Sequence, residues 1–157
     1  MRTQLVKSTD PILKVKAKPI TEFGGSHTTK LNALAVGMYG LMKRESGIGI
    51  AAPQVGKSIR FIIVSAPSDS FQVPKNVFMC NPEIVARSKE MVTNTEGCIS
   101  IPGRFYRVTR HKTISIKFQD TAGNFQYLTG DGLFSVCCQH ELSHLDGDVI
   151  WVGNEKA

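Results

Sequence analysis

The hydrophobic positions of the chain follow two different periods, which predict a mixture of helices and strands. Within Thr28–Glu45 the apolar residues recur at the spacing of one helix face. They are Leu31, Leu34, Ala35, Met38, Leu41 and Met42. The same reasoning predicts a second helix over Leu133–Asp146, and a glycine follows each of these segments, at Gly47 and Gly147.

Strands are predicted by short apolar runs and by alternation of apolar and polar residues. Such patterns occur over Ser58–Ser65, over Phe78–Ala86 and repeatedly within 106–128, whereas residues 1–24 and 66–76 read as irregular. Because strands fill the middle of the chain and a helix comes late, we expect an α+β fold. No repeat or linker divides the chain, so we expect one domain over residues 1–157.

Composition narrows the class of protein. The 157 residues are 41% hydrophobic and 20% charged, which argues against disorder. No apolar run approaches the roughly 18 residues of a membrane helix, and the first twenty residues contain Lys and Pro where a signal peptide needs an apolar core. Four cysteines are too few for a disulfide scaffold, so we expect reduced thiols in a cytoplasmic protein without a membrane partner.

The net charge of +6 is spread along the chain. Because no run of five or more Lys and Arg residues occurs, the charge indicates a cationic surface rather than a specific nucleic-acid site. Attraction to RNA-rich surroundings is the alternative.

The strongest local signal for chemistry is the pentapeptide from His140 to His144, HELSH. Histidines four residues apart lie on one helix face, so both rings can reach one cation. Glu141 lies beside them, where it could take a proton from water. A catalytic site of this kind also needs a third protein ligand and one open position.

The third ligand does not follow from the pentapeptide itself. Ile150 stands where HExxHxxGxxH proteases place a third histidine, and only 13 residues follow His144. We therefore expect the ligand upstream, among His27, His111 and the cysteines. Of these, Cys98 stands out because it lies in the glycine-flanked segment EGCISIPG, and a thiolate suits iron, zinc, nickel or cobalt.

A glycine-rich segment, GIGIAAPQVGKS (47–58), resembles two nucleotide-binding patterns without their structural context. The Rossmann pattern requires a preceding strand, and both patterns require a following helix, whereas here a helix precedes and a strand follows. We interpret the segment as a loop that exposes backbone groups to a ligand. Gln54 adds a neutral donor that could meet an oxyanion.

Three segments together resemble the peptide deformylase family. The family patterns GxGxAAxQ, EGCxS and QHExDHLxG occur in order here as GIGIAAPQ (47–54), EGCIS (96–100) and QHELSHLDG (139–147). The resemblance implies antiparallel sheets around a central HExxH helix. It also implies removal of the formyl group from N-formylmethionyl peptides, with Fe²⁺ as cofactor and Zn²⁺, Ni²⁺ or Co²⁺ as alternatives.

The resemblance also assigns roles to individual residues. It implies Cys98, His140 and His144 as metal ligands and Glu141 as the proton-transfer group. Gln54 Nε2 and the Ile99 N–H would meet the oxyanion. Substrate would be bound by Ile48, Gly49, Leu133, Val136 and Cys137. The site would be supported by Gly47, Glu96, Gly97, Arg110 and Ser143.

Two departures from the family pattern are visible. Ser143 replaces the family aspartate, and we expect this change to tune activity rather than abolish it. The chain also ends soon after Trp151, where many bacterial members continue into a helix that contacts the ribosome. Because phage-encoded members share short tails, bacterial cytoplasm or the cytoplasm of an infected host is expected, with nascent formylated peptides as partners and a monomeric state.

Three other functions remain open from the sequence. An HExxH endopeptidase would cleave unformylated internal peptide bonds. An inactive metal-binding relative would hold formylated chains without turnover, an alternative motivated only by Ser143. RNA binding through the basic surface would show a steep salt dependence.

Overall fold

The computed structural model describes residues 3–157, and within this range the chain forms two α-helices and eight β-strands. The helices are α1 (Gly25–Arg44) and α2 (Gly132–Leu145). The strands are β1 (Gly49–Ala51), β2 (Phe61–Val64), β3 (Val77–Arg87), β4 (Met91–Glu96), β5 (Tyr106–His111), β6 (Thr113–Gln119), β7 (Phe125–Asp131) and β8 (Glu155–Lys156). Short 3₁₀ turns occupy Pro11–Lys14 and Ala52–Val55.

The strands form two antiparallel sheets. Five strands pair in the order β1-β2-β3-β6-β7, and three pair in the order β4-β5-β8. Strand β1 therefore lies at the edge of the larger sheet, where Gly49 pairs with Val64 and Ala51 with Ile62. The predicted α+β fold with antiparallel sheets is confirmed.

Strand β2 is buried on both faces because a helix covers each side. Phe61 and Ile63 pack in one cluster with the apolar face of α1, whereas Ile62 and Val64 pack in another with α2. This arrangement explains why the sequence of β2 is continuously apolar instead of alternating.

Helix α2 is the central element of the fold. All of its residues are buried except Gly132, Leu133 and Ser143. Its side chains contribute to the core beneath the larger sheet, and its C-terminal half also carries the two histidines of HELSH. A helix enclosed on nearly every side holds its polar side chains at fixed positions, because they cannot move without disturbing the core.

The element boundaries differ from the predictions in ways that have physical causes. Helix α1 begins three residues earlier than Thr28, and the strand predicted over Ser58–Ser65 is limited to Phe61–Val64. Strands β1, β4 and β8 were not predicted. Most of β4, MVTNTE, is exposed or half-buried, so its sequence shows no apolar alternation.

No helix within residues 3–157 combines the length and apolar character needed to cross a membrane.

Asp131, directly before α2, connects the start of this helix to the polar loop at residues 68–70. Its carboxylate Oδ1 accepts hydrogen bonds from the Ser68 hydroxyl at 2.7 Å and from the backbone N–H groups of Asp69 and Ser70 at 2.8 and 3.0 Å. The Asp131 N–H in turn donates to Ser68 Oγ at 2.9 Å. These hydrogen bonds, with the Ser68 hydroxyl as the largest cause, lower the pKa of Asp131 to about 2.

The low pKa predicts a pH-dependent effect of Asp131→Asn on stability. A carboxyl with a lowered pKa in the folded state stabilises the fold above its unfolded pKa of about 3.9, and this contribution is lost as the pH falls toward the folded value. We therefore expect the parent to be more stable than Asp131→Asn near neutral pH, with a difference that shrinks on acidification. Urea unfolding between pH 7 and pH 3 measures this; a constant difference would contradict it.

Candidate functional site

The fold brings Cys98, His140 and His144 together, although the cysteine is far from the histidines along the chain. Their ligand atoms lie within 4.8 Å of one another, and Cys98 Sγ is 3.4 Å from His144 Nε2. The histidines lie one turn apart on α2, with ring centroids separated by 5.1 Å. Cys98 comes from the segment that follows β4. One thiol and two imidazoles form a donor set that suits a divalent transition-metal ion.

The other candidates for the third ligand lie elsewhere. His27 is near the exposed start of α1, 3.5 Å from Glu22 Oε2, and His111 Nδ1 lies 2.8 Å from the Ser88 carbonyl. The remaining cysteines are Cys80, Cys137 and Cys138, and all three are buried. The geometry therefore places Cys98, and none of these, in a cluster with both histidines.

The surroundings of His140 favour a positive charge in the cluster. Its Nδ1 lies 2.8 Å from Glu96 Oε1, and the ring is buried. Burial by itself would lower the pKa of His140, but contacts with Cys98 and Glu96 raise it to about 10. The same groups that favour a protonated imidazole would favour a cation bound between the ring and the thiol.

His144 has different surroundings. Burial is the main cause that lowers its pKa to about 3, so the ring is neutral, which is the form of histidine that binds metals. Its Nδ1 is buried and has no hydrogen-bond partner within residues 3–157. The donor set and the protonation of this ring therefore fit a bound metal.

Glu96 and Arg110 form a buried ion pair behind His140. Arg110 Nε donates to Glu96 Oε2 at 3.0 Å, and Nη2 donates to Oε1 at 2.9 Å. Burial would raise the pKa of Glu96, but the hydrogen bonds with His140 and Arg110 hold it below its ordinary value. The paired carboxylate thus orients the His140 ring.

Ser143 completes this network on the side of α2. Arg110 Nη1 donates to Ser143 Oγ at 3.2 Å, and the Ser143 hydroxyl donates to the carbonyl of Gln139 at 2.9 Å. The contacts of His140 and Ser143 therefore help to hold helix α2 against β4 and β5.

Glu141 is buried next to the cluster, and its Oε2 has no hydrogen-bond partner within residues 3–157. Burial is the main cause that raises the pKa of Glu141 to about 7. A carboxyl group with this pKa can accept and return a proton near neutral pH. An unpaired buried carboxyl oxygen in a cleft is costly unless a ligand uses it.

Gln54 is held in one orientation by the backbone. Its Oε1 accepts a hydrogen bond from the Ala51 N–H at 2.9 Å, so its Nε2 points toward the segment containing Cys98. Nε2 lies 3.4 Å from Cys98 Sγ and 2.9 Å from Ser100 Oγ. Ser100 ends the EGCIS segment, but its contact with Gln54 was not predicted from the sequence.

A cleft of about 990 Å³ runs beside these groups. Its walls include the residues predicted to bind substrate, which are Ile48, Gly49, Leu133, Val136 and Cys137. Gly47, Glu96, Gly97 and Ile99 also line it, as does Asp69, which the sequence analysis did not single out. Leu133 is 45% exposed and lies at the wall of the cleft.

The glycines of the cleft allow close approach of backbone. A Cβ atom at Gly49 would lie 2.6 Å from Cys137 Sγ and 2.7 Å from Glu141 Oε1, and one at Gly47 would lie 2.8 Å from Ile99 Cγ2. The Ile48 carbonyl already accepts a hydrogen bond from the Ser65 N–H at 2.7 Å. The Ile48 carbonyl is therefore already hydrogen-bonded within the protein. This leaves the backbone of Gly49, in edge strand β1, to pair with a ligand.

Comparisons with known proteins agree with these observations. The family model described as polypeptide deformylase matches residues 2–152. A peptide deformylase of Rhodopseudomonas palustris (strain TIE-1) is 40% identical over 141 residues, which cover 88% of this chain and 77% of the relative. A peptide deformylase-like protein of Brucella melitensis biotype 1 is 39% identical over 148 residues, covering 94% of this chain and 85% of the relative.

Solved structures show the same similarity. Peptide deformylase from Thermotoga maritima has a TM-score of 0.87 and 31% identity, covering 100% of this chain and 99% of that chain. The Met-Ala-Ser bound class I type b enzyme from Acinetobacter baumannii has a TM-score of 0.86 and 32% identity, covering 96% of this chain and 97% of that chain. The chain therefore belongs to the polypeptide deformylase family, metal-dependent hydrolases that remove the N-formyl group from nascent peptides.

Proposed function

We propose that this chain hydrolyses the formyl amide of N-formylmethionyl peptides in the cleft beside α2, with Glu141 as the group that transfers the proton. The observation that carries the proposal is the buried, unpaired carboxyl oxygen of Glu141 next to the cluster of Cys98, His140 and His144. A site with ligands, a proton acceptor and an adjoining cleft contains the parts that amide hydrolysis needs.

Cys98, His140 and His144 would hold the metal ion in this proposal. The mixed sulfur and nitrogen donors suit a divalent transition-metal ion, and the resemblance to the family favours Fe²⁺, with Zn²⁺, Ni²⁺ or Co²⁺ as alternatives. The chemistry that such an ion supplies when bound is Lewis-acid polarisation of the formyl carbonyl and of a water molecule.

The protein groups would act on the attacking water and on both the nitrogen and the oxygen of the formyl amide. Glu141 accepts the proton of the attacking water, and it then delivers this proton to the leaving amine, so that formate and a free amino terminus result. Gln54 Nε2 and the N–H of Ile99 donate to the formyl oxygen as negative charge develops on it. The hydrogen bond between Gln54 Oε1 and the Ala51 N–H keeps the Gln54 amide in this orientation before substrate arrives.

The cleft supports a defined direction for the peptide. Because Gly49 lies against Glu141, the formyl end is placed at that part of β1, and the peptide main chain pairs with the free edge of the strand. The peptide then leaves past Gly47, antiparallel to β1. The methionine side chain enters the pocket formed by Leu133, Val136 and Cys137.

The remaining predicted residues support the site in this proposal. Glu96, Arg110 and Ser143 hold the His140 ring and α2 in place through the hydrogen bonds described above. Gly47 and Gly97 allow the walls to approach, since a Cβ at Gly97 would lie 3.0 Å from the Phe105 ring.

The cellular setting follows from the substrate. We place the protein in the cytoplasm of a bacterium or of an infected host cell, because formylated chains emerge there from ribosomes. We propose that it acts as a monomer, since one chain contributes all of the site residues named above. The net charge of +6 would favour proximity to the ribosome without a specific nucleic-acid site.

The direct test is formate release from formyl-Met-Ala-Ser by protein loaded with Fe²⁺ under anaerobic conditions. We expect turnover of this peptide, with no cleavage of internal peptide bonds in the unformylated Met-Ala-Ser control. Internal cleavage would favour an endopeptidase, and tight binding of the formylated peptide without formate release would favour a binding protein.

Gly49→Ala is expected to impair catalysis more than folding. The added methyl group would meet Cys137 Sγ and Glu141 Oε1, both in the cleft, so the Glu141 carboxyl must shift. Overpacking of this kind costs about 1–3 kcal/mol, and a displaced catalytic group commonly costs about 100-fold in rate. Formate release and thermal unfolding should be compared with Gly40→Ala, because Gly40 lies in α1 outside the cleft and its Cβ would meet only the flexible end of Arg44, at 3.4 Å. An equal loss of activity in both variants would contradict the prediction.

A further inference from the structure

The two histidines of the cluster are oriented in different ways. His140 has Glu96 against its Nδ1 at 2.8 Å, whereas the Nδ1 of His144 has no hydrogen-bond partner within residues 3–157. The rotation and position of His144 must therefore depend on the helix turn that carries it and on the side chains packed around it. His144 lies in the last turn of α2, next to the final helical residue Leu145.

Helix ends leave carbonyl groups without intrahelical partners, so the last turn needs other donors. Arg60 supplies one of them from outside the helix. Its Nη1 donates to the carbonyl of Leu145 at 2.9 Å, and its Nη2 donates to Asp146 Oδ1 at 2.9 Å. The Leu145 carbonyl also accepts the Ala17 N–H at 2.8 Å.

Arg60 is itself held firmly. Its side chain is only 14% exposed, and its backbone N–H donates to the Lys18 carbonyl at 2.9 Å. A partly buried arginine that reaches the end of a helix places its charge at the negative end of the helix dipole. The contact therefore connects the start of β2 to the helix residue next to His144.

We propose that Arg60 is a positioning residue for the metal cluster, which fixes the last turn of α2 and thereby sets the position of His144. The inference rests on the proposed role of Cys98, His140 and His144 as ligands. Glu96 orients His140 through a direct contact with the imidazole ring. Arg60 would position His144 indirectly, through the backbone of the last helical turn.

The test measures metal binding and not only activity. The dissociation constant for Zn²⁺ is determined by chelator competition, and the visible spectrum of Co²⁺-loaded protein reports ligand geometry. Arg60→Met, which keeps the aliphatic stem and removes every donor, is expected to weaken Zn²⁺ binding about 10- to 100-fold and to change the Co²⁺ spectrum. Arg60→Lys should recover part of the affinity, because an ammonium group can still donate to the Leu145 carbonyl.

Arg87→Met is the matched control, because it makes the same change at an exposed arginine of β3 and should leave both readouts unchanged. A purely structural role for Arg60 would lower the melting temperature equally with and without Zn²⁺ and leave the Zn²⁺ affinity and the Co²⁺ spectrum as in the parent. That result, in folded Arg60→Met, overturns the inference.

If Arg60→Met does not fold, Arg60→Lys and Asp146→Ala decide the question by the same two readouts. A weaker Zn²⁺ affinity in Arg60→Lys supports the inference, and parent values in both variants overturn it. If the parent itself binds no Zn²⁺ through this cluster, the proposed function has failed, which is a different outcome from an unaffected Arg60 variant.

Discussion

Glu141→Gln is expected to lower the kcat for formate release from formyl-Met-Ala-Ser by about 1,000-fold, within the range for loss of a general acid–base group. Glutamine has nearly the same shape but can neither accept the proton of the attacking water nor return it to the leaving amine. Because Glu141 is not a member of the ligand cluster, the metal content should stay at the parent value. Formate assays with matched metal loading measure the effect.

The affinity of the product peptide provides the control for this substitution. Glu141 is buried in the wall of the cleft, and glutamine fills the same volume, so Met-Ala-Ser should bind to Glu141→Gln about as well as to the parent. A variant with undiminished kcat would remove Glu141 from the reaction. A variant that has lost metal or peptide binding would assign it a structural role instead.

Cys98→Ser is expected to release the metal ion. The substitution exchanges a thiolate for a neutral hydroxyl, which is a much poorer ligand for a transition-metal ion, and leaves two imidazoles as the remaining donors of the cluster. Loss of a direct ligand should weaken Zn²⁺ binding by more than the roughly 100-fold that loss of a supporting group can cause. Chelator competition measures the affinity, and the near-ultraviolet sulfur-to-metal band of the Co²⁺ protein should disappear.

Cys80→Ser is the matched control for this change. Cys80 is buried in the core beneath α1, where burial raises the pKa of its thiol to about 12, so it is a packing residue. Its replacement should reduce stability while keeping the sulfur-to-metal band. Retention of that band in Cys98→Ser would show that another sulfur binds the ion and would contradict the assignment.

Local chemistry made some parts of the site predictable from the sequence. Histidines four residues apart are brought together by helix geometry alone, so His140 and His144 could be paired before any fold was known. Cys98 required the resemblance to a family, because its approach to the helix depends on how β4 ends. From the residues alone, the glycine-flanked segment made Cys98 stand out, but His27 and His111 stayed open as the third ligand.

Other parts could not be predicted because they arise from tertiary structure. Strand β4 has a mostly polar sequence, and its position depends on pairing with β5. Nothing in the sequence distinguishes Arg60 from the other basic residues, because its contact with the end of α2 forms only in the folded chain. Ser143 was recognised as a departure from the family pattern. Its contact with Arg110 became visible only when β5 was placed against the helix.

The position of β1 at the rim of its sheet has a consequence for timing in the cell. Within residues 3–157 its outer edge pairs with no other strand and borders the cleft, so a substrate that pairs with it must present an extended polypeptide end. An amino terminus already built into a folded domain would be excluded. Removal of the formyl group would therefore compete with folding of the newly made protein, and slow-folding amino termini would be processed most completely.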